Sequence, residues 1–179
     1  CATSDGVTAL TMPVTDDDTT GANDDVHPVC ASSSNTAPDH TYSMQLPALK
    51  TLSIDFDSPN FDSVIALYDS TCGGTALACE DFSAIQRTNV PAGNYFLVVD
   101  GYSTDSGATK LTVSGTIQNG GSCEVPLVQN GAFACGPGFA CGGTPGSRTC
   151  RPAACRDGLD NDGDGIADYP NVPGCTSIS

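Results

Sequence analysis

The chain has 179 residues, ten of them cysteine, no tryptophan, and a formal net charge of −15 from 21 acids against 6 bases. That balance excludes a nucleic-acid partner and an anionic membrane surface, both of which need basic patches. No apolar run is long enough to span a bilayer; the best, Tyr95-Phe96-Leu97-Val98-Val99, is strand-sized.

Ten cysteines with no Cys-x-x-Cys pair predict up to five disulfides in an oxidising compartment, in preference to structural zinc. Of the 21 acids only Glu80 and Glu124 are glutamate, leaving 19 aspartates, a bias toward turns and hard-cation sites and away from helices. The first residue is Cys1, so a processed product is expected. Cys1 and Cys30 are placed to tie together the ends of a Thr-, Ser- and Asp-rich opening segment. Within it Asp16-Asp17-Asp18 reads as a turn signal, and Val7, Leu10 and Val14 supply a short edge strand. A lipidated Cys1, which Ala2 permits, is the alternative; it would strand one thiol, so the disulfide is preferred.

From Tyr42 onward the hydrophobic period becomes two. Tyr42, Met44 and Leu46 alternate with polar residues, as do Leu52, Ile54 and Phe56 with Ser53, Asp55 and Asp57, the pattern of strands with one dry and one wet face. Residues 64–68 are continuously apolar and read as a central strand. Cys72 and Cys79 bracket a turn and are expected to staple a hairpin. Residues 95–99 form a further strand after Pro91-Ala92-Gly93-Asn94, and Leu111 and Val113 mark the last one. No helix is predicted. Short strands punctuated by Gly and Pro indicate an all-β, jelly-roll-like β-sandwich. Residues 1–117 are assigned to it.

Residues 118–179 are assigned to a cysteine-rich appendage, entered through a hinge at Asn119-Gly120-Gly121. So many glycines, prolines and cysteines leave little to bury, and crosslinks are expected to hold it. Near the end, Asp160-Asn161-Asp162-Gly163-Asp164-Gly165-Ile166-Ala167-Asp168 fits D-x-D-x-D-G-x-x-D. Calcium takes six to eight oxygens from a chain able to wrap around it. Asp160, Asp162, Asp164 and Asp168 supply carboxylates, the Ile166 carbonyl turns inward, and Gly165 allows the bend. The twelfth position is Asn171, and Pro170 and Pro173 forbid an exit helix, so this is not an EF-hand. Cys155 and Cys175 flank the loop and are placed to close it.

Two resemblances add to this reading. The segments "APDHTYSMQLPA", "FDSVIALYDSTCGGTALACED" and "VPAGNYFLVVDGYSTDSGATKLTVSG" resemble the bacterial pre-peptidase C-terminal domain family over roughly residues 20 to 117. The resemblance implies a compact β-sandwich that accompanies secreted enzymes and surface proteins and carries no catalytic residues. Family members often have a further cysteine soon after the position of Cys79; its absence here makes Cys1 the implied partner of Cys30. The tail is similar to thrombospondin type 3 and dockerin-type calcium loops, although Val172 stands where such tails often carry an acid.

No Gly-x-Ser-x-Gly, His-Glu-x-x-His or Walker loop occurs, and His27 and His40 lie in turn-rich segments. The chain is therefore read as a non-enzymatic, secreted or cell-surface structural or adhesive module, possessing Ca2+ as its cofactor. Its expected partners are further copies of itself or other surface proteins. A carbohydrate-binding module is the alternative, with Tyr42, Tyr68, Tyr95, Tyr102 and Tyr169 as candidate glycan contacts. A detached tail of a secreted hydrolase is the third reading.

Overall fold

A computed structural model describes residues 3–31, 33–58, 60–70 and 75–153. The calcium-loop residues Asp160, Asp162, Asp164, Ile166 and Asp168, together with Cys1, Cys72, Cys155, Cys175 and Tyr169, lie outside the described residues. The architecture is a β-sandwich of two five-stranded sheets with a two-stranded hairpin at one end. One sheet (sheet A) has the order β1 (Val7–Ala9), β3 (His40–Leu46), β8 (Gly93–Gly101), β5 (Ser63–Tyr68), β6 (Ala78–Asp81). The other (sheet B) runs β10 (Phe133–Cys135), β9 (Ala108–Ile117), β4 (Leu49–Asp57), β7 (Ile85–Val90).

The opening segment supplies an edge to each sheet. β1 pairs parallel with β3, and β2 (Val14–Asp18) then crosses over to pair antiparallel with the first half of β9. β10 pairs parallel with the last residues of β9, so β2 and β10 share one edge of that strand. The Asp16-Asp17-Asp18 run is thus strand and not turn: Asp17 points inward and Asp16 and Asp18 outward.

The period-two pattern sets the core. Tyr42, Met44 and Leu46 face Leu52 and Ile54 across the sandwich, with Ile65, Leu67, Leu97, Val99, Leu111 and Val113 filling the same layer. Each fully buried aliphatic side chain of this kind contributes about 1.5–3 kcal/mol. All six residues of β5 are buried, because both its faces are covered. Ile65 and Leu67 join the main core, while Ala66 and Tyr68 pack with Val98, Val26 and Phe96 on the outer side of sheet A.

The outer cover is the stretch around Val26 to Ala37, and a disulfide locks it down. Cys30 pairs with Cys79 at a Cα–Cα distance of 5.6 Å. This corrects both expected pairings, Cys1–Cys30 and Cys72–Cys79. Cys79 stands opposite Ala66 on the outer face of sheet A, so it meets the covering segment and not its own hairpin.

The cysteine-rich region also differs from expectation. Asn119-Gly120-Gly121 is not a free hinge: the Gly120 N–H donates to the Cys150 carbonyl at 2.8 Å and the Cys150 N–H to the Gly121 carbonyl at 2.9 Å. The region adds to the core of the sandwich. Leu127, on a single helical turn α1 (Pro126–Gln129), and Phe133 join the main hydrophobic cluster with Cys123 and Cys150. Pro126 begins that turn, where its fixed φ suits a helix start and its missing N–H removes nothing. Two overlapping disulfides, Cys123–Cys141 and Cys135–Cys150, clamp β11 (Phe139–Gly142) and β12 (Thr149–Pro152) to this end of the sandwich.

Candidate functional site

Three strands end side by side at one end of sheet A. The Tyr102 N–H, just past β8, donates to the Asp62 carbonyl at 2.7 Å, and the Phe82 N–H, just past β6, reaches the Ser63 carbonyl at 3.4 Å. Tyr102 and Phe82 therefore flank the start of β5 from opposite sides. With neighbouring strands about 4.8 Å apart, their backbones stand roughly 10 Å from one another.

Both rings face water, Phe82 at 66% exposure and Tyr102 at 37%. Phe82 also has φ +58°, a left-handed conformation that costs a bulky residue about 1–2 kcal/mol. Neither the strain nor the exposed ring serves packing. Strain of this kind gathers at binding sites.

Three carboxylates lie among these strand ends. Asp62 lies close enough to Asp81 and to Asp105 to feel the charge of each, and its backbone N–H approaches Asp105 Oδ2 at 3.4 Å. Partial desolvation, then the charges of Asp81 and Asp105, raise the Asp62 carboxyl above the ordinary range. Its Oδ1 is screened from solvent and has no hydrogen-bond partner. The β8–β9 turn is drawn tightly over this end: a Cβ on Gly101 would clash with the Asp105 carbonyl oxygen. Among the described residues no three His, Cys, Asp or Glu side chains are gathered as metal ligands. Asp62 Oδ1 is closed to solvent, so the acceptors open to a hydroxyl donor at this end are the exposed carboxylates of Asp81 and Asp105.

The other predicted glycan contacts are elsewhere. Tyr42, Tyr68 and Tyr95 are buried, and the Tyr95 hydroxyl donates to the Pro91 carbonyl at 2.9 Å. Burial, then the adjoining Asp17 carboxylate, lifts the Tyr42 hydroxyl above its usual range. Phe82 is the residue sequence reasoning missed; a lone aromatic in the turn Asp81-Phe82-Ser83 was its only signal.

Asp17 Oδ1 lies 2.7 Å from His40 Nδ1. In a hydrolase such a pair orients a histidine toward a nucleophile. Among the described hydrogen bonds none joins His40 to a serine, threonine or cysteine, and the bond links β2 to β3 across the sandwich mouth.

These features define an all-β sandwich module with a polar–aromatic loop end. The chain belongs to the T9SS-associated, galactose binding domain-like family, whose sequence signature spans residues 1–113. Among solved structures it is similar to the pre-peptidase C-terminal domain of collagenase from Bacillus anthracis, at 13% identity and a TM-score of 0.43, covering 60% of this chain and 94% of that one. It is also similar to PliG from Aeromonas hydrophila, a periplasmic inhibitor of g-type lysozyme, at 7% identity and a TM-score of 0.41, covering 60% of this chain and 96% of that one. Neither likeness is close enough to assign a role. No curated protein matches the chain. Its family and its disulfides together point to an extracellular or cell-surface protein.

Proposed function

We propose that this chain is a non-catalytic adhesive module working outside the cell, holding a hydroxyl-rich ligand of the glycan class at the Asp62–Phe82–Tyr102 end. The observation that carries the reading is Phe82: a strained backbone presenting an exposed ring at the sheet end that also bears the exposed acids Asp81 and Asp105. Sugar rings offer an apolar C–H face for stacking and hydroxyls for the acids. Family membership supports a binding role of this kind. A glycan array probed with the whole chain tests it. Phe82→Ala combined with Tyr102→Ala should weaken the best-bound glycan about tenfold, the equivalent of one or two aromatic contacts. An array with no binder, or binding indifferent to both changes, contradicts the proposal.

The tail supplies a second element of the proposal, resting on sequence alone. Asp160, Asp162, Asp164 and Asp168, with the Ile166 carbonyl, have the oxygen chemistry and spacing that calcium requires. Chelation should therefore expose the chain beyond residue 155 to protease while the sandwich, held by its own core and disulfides, stays folded. Identical digestion with and without chelator counts against calcium in the tail.

A further inference from the structure

The outer face of sheet A carries a buried acidic pair distinct from the loop end. One step beyond the His40↔Val99 pairing, the antiparallel register of β3 and β8 sets Asp39 opposite Asp100. Asp39 is 1% exposed and Asp100 0%. Asp100 accepts from the Asn35 side chain at 2.6 Å and from the Gly101 N–H at 2.7 Å. Asp39 Oδ2 accepts the Asp25 and Val26 N–H groups at 2.6 and 2.8 Å. The pair thus sits between the sheet and the covering segment, and holds that segment in place.

The charge and the lone pairs are not accounted for. Neither carboxylate forms an ion pair with a basic side chain among the described residues, and Asp24 and Asp25 add further negative charge to the surroundings. Asp39 Oδ1 has no hydrogen-bond partner, and neither does Thr41 Oγ1, on a residue 2% exposed and two positions along the same face of β3. Burial, and then the charge of Asp39, push the Asp100 carboxyl up to about 8. Two buried carboxylates side by side without a counter-charge are strongly unfavourable unless a cation or a proton joins them.

We infer that Asp39, Asp100 and Thr41, with Asn35 orienting Asp100, form a second divalent-cation site, calcium in class, which pins the covering segment that carries Asp25, Val26 and Asn35 onto sheet A. Oxygen is the only donor type present, as a hard cation prefers. The carboxylates supply the charge, the Thr41 hydroxyl supplies a neutral oxygen, and water completes the shell, while Asn35, whose Oδ1 accepts the Ala37 N–H at 3.3 Å, orients Asp100 through its amide N–H. With two carboxylates and not three, the site differs in kind from a cluster of acids, and the orphaned Asp39 and Thr41 oxygens mark where a ligand is missing from the hydrogen-bond inventory.

Terbium alone, added to the full chain with the tail loop silenced by Asp162→Asn and Asp164→Asn, is the probe. Tyr68 lies near enough to feel the charges of both Asp100 and Asp39, so bound terbium should show saturable, tyrosine-sensitised emission that calcium displaces. Asp100→Asn and, separately, Asp39→Asn should each weaken terbium binding at least about tenfold, with circular dichroism showing the sandwich folded. Tyr68→Phe should dim the emission while calcium binding by calorimetry is kept. No sensitised emission, or emission that survives both asparagine variants, overturns the site. So does an Asp100→Asn protein as stable without metal as the parent is with it, since the pair would then be sharing a proton.

Discussion

Replacing Cys30 and Cys79 together with alanine should lower the unfolding free energy by about 4 kcal/mol, the chain-entropy value for a loop of this length. The separation is 49 residues, the longest of the described disulfides, so its loss frees the most chain in the unfolded state. The native state should change little in its core, because the inward faces of both sheets pack independently of this bridge. The covering segment should loosen instead. Val26 rests on Ala66, Tyr68 and Val98, a small contact to hold a segment without its covalent tie. Denaturant titration of the double variant gives the energy, and proteolysis near residue 30 gives the location. A loss well under about 1 kcal/mol would mean that the backbone hydrogen bonds to Asp39 hold the segment unaided.

The second large effect is expected at Phe133. Its side chain is buried in the main cluster, beside Leu127 and against Gly115 of β9. A Cβ on Gly115 would clash with the Thr51 carbonyl oxygen and stand 3.2 Å from Phe133 Cδ1, so the ring packs directly on this part of β9. Phe133→Ala should cost about 3–5 kcal/mol. It should also shift one shared unfolding transition, because residues 123–150 and the sandwich bury the same core. Two separate calorimetric transitions, only one of them moved, would mean that the cysteine-rich region folds on its own.

Much of the sandwich was legible because burial here follows the pleat. Tyr42-Met44-Leu46 and Leu52-Ile54 alternate in sequence and alternate in space, and the unbroken run at residues 64–68 is the strand covered on both faces. β7 was illegible for the converse reason. Its interior Gln86, Arg87, Thr88 and Asn89 are all exposed, with only Ile85 and Val90 buried, so no alternation exists to read. The disulfide of Cys30 escaped because spacing says nothing about which face of a sheet a cysteine occupies. The cysteine-rich region was misjudged on composition: two well-placed apolar residues, Leu127 and Phe133, do what its average hydrophobicity does not suggest.

The sites were harder to read than the fold. Asp39 and Asp100 look in sequence like ordinary wet-face or turn acids, and only the covering segment, a tertiary feature, turns them into a buried pair. Phe82 likewise gains meaning from its positive φ and from the strand ends that place Asp62 and Tyr102 at the same end of sheet A. The tyrosines that sequence alone nominated were chosen by type, and Tyr42, Tyr68 and Tyr95 spend their rings on packing.

Backbone amide shifts of isotopically labelled protein, followed while the best glycan from the array is added, examine the loop end where it matters. Perturbations confined to the turns bearing Asp62, Phe82 and Tyr102 are the expected result. Shifts clustered on β1, on α1 or on the tail, with those turns silent, would place the ligand elsewhere and end the case for a binding site at this end of sheet A.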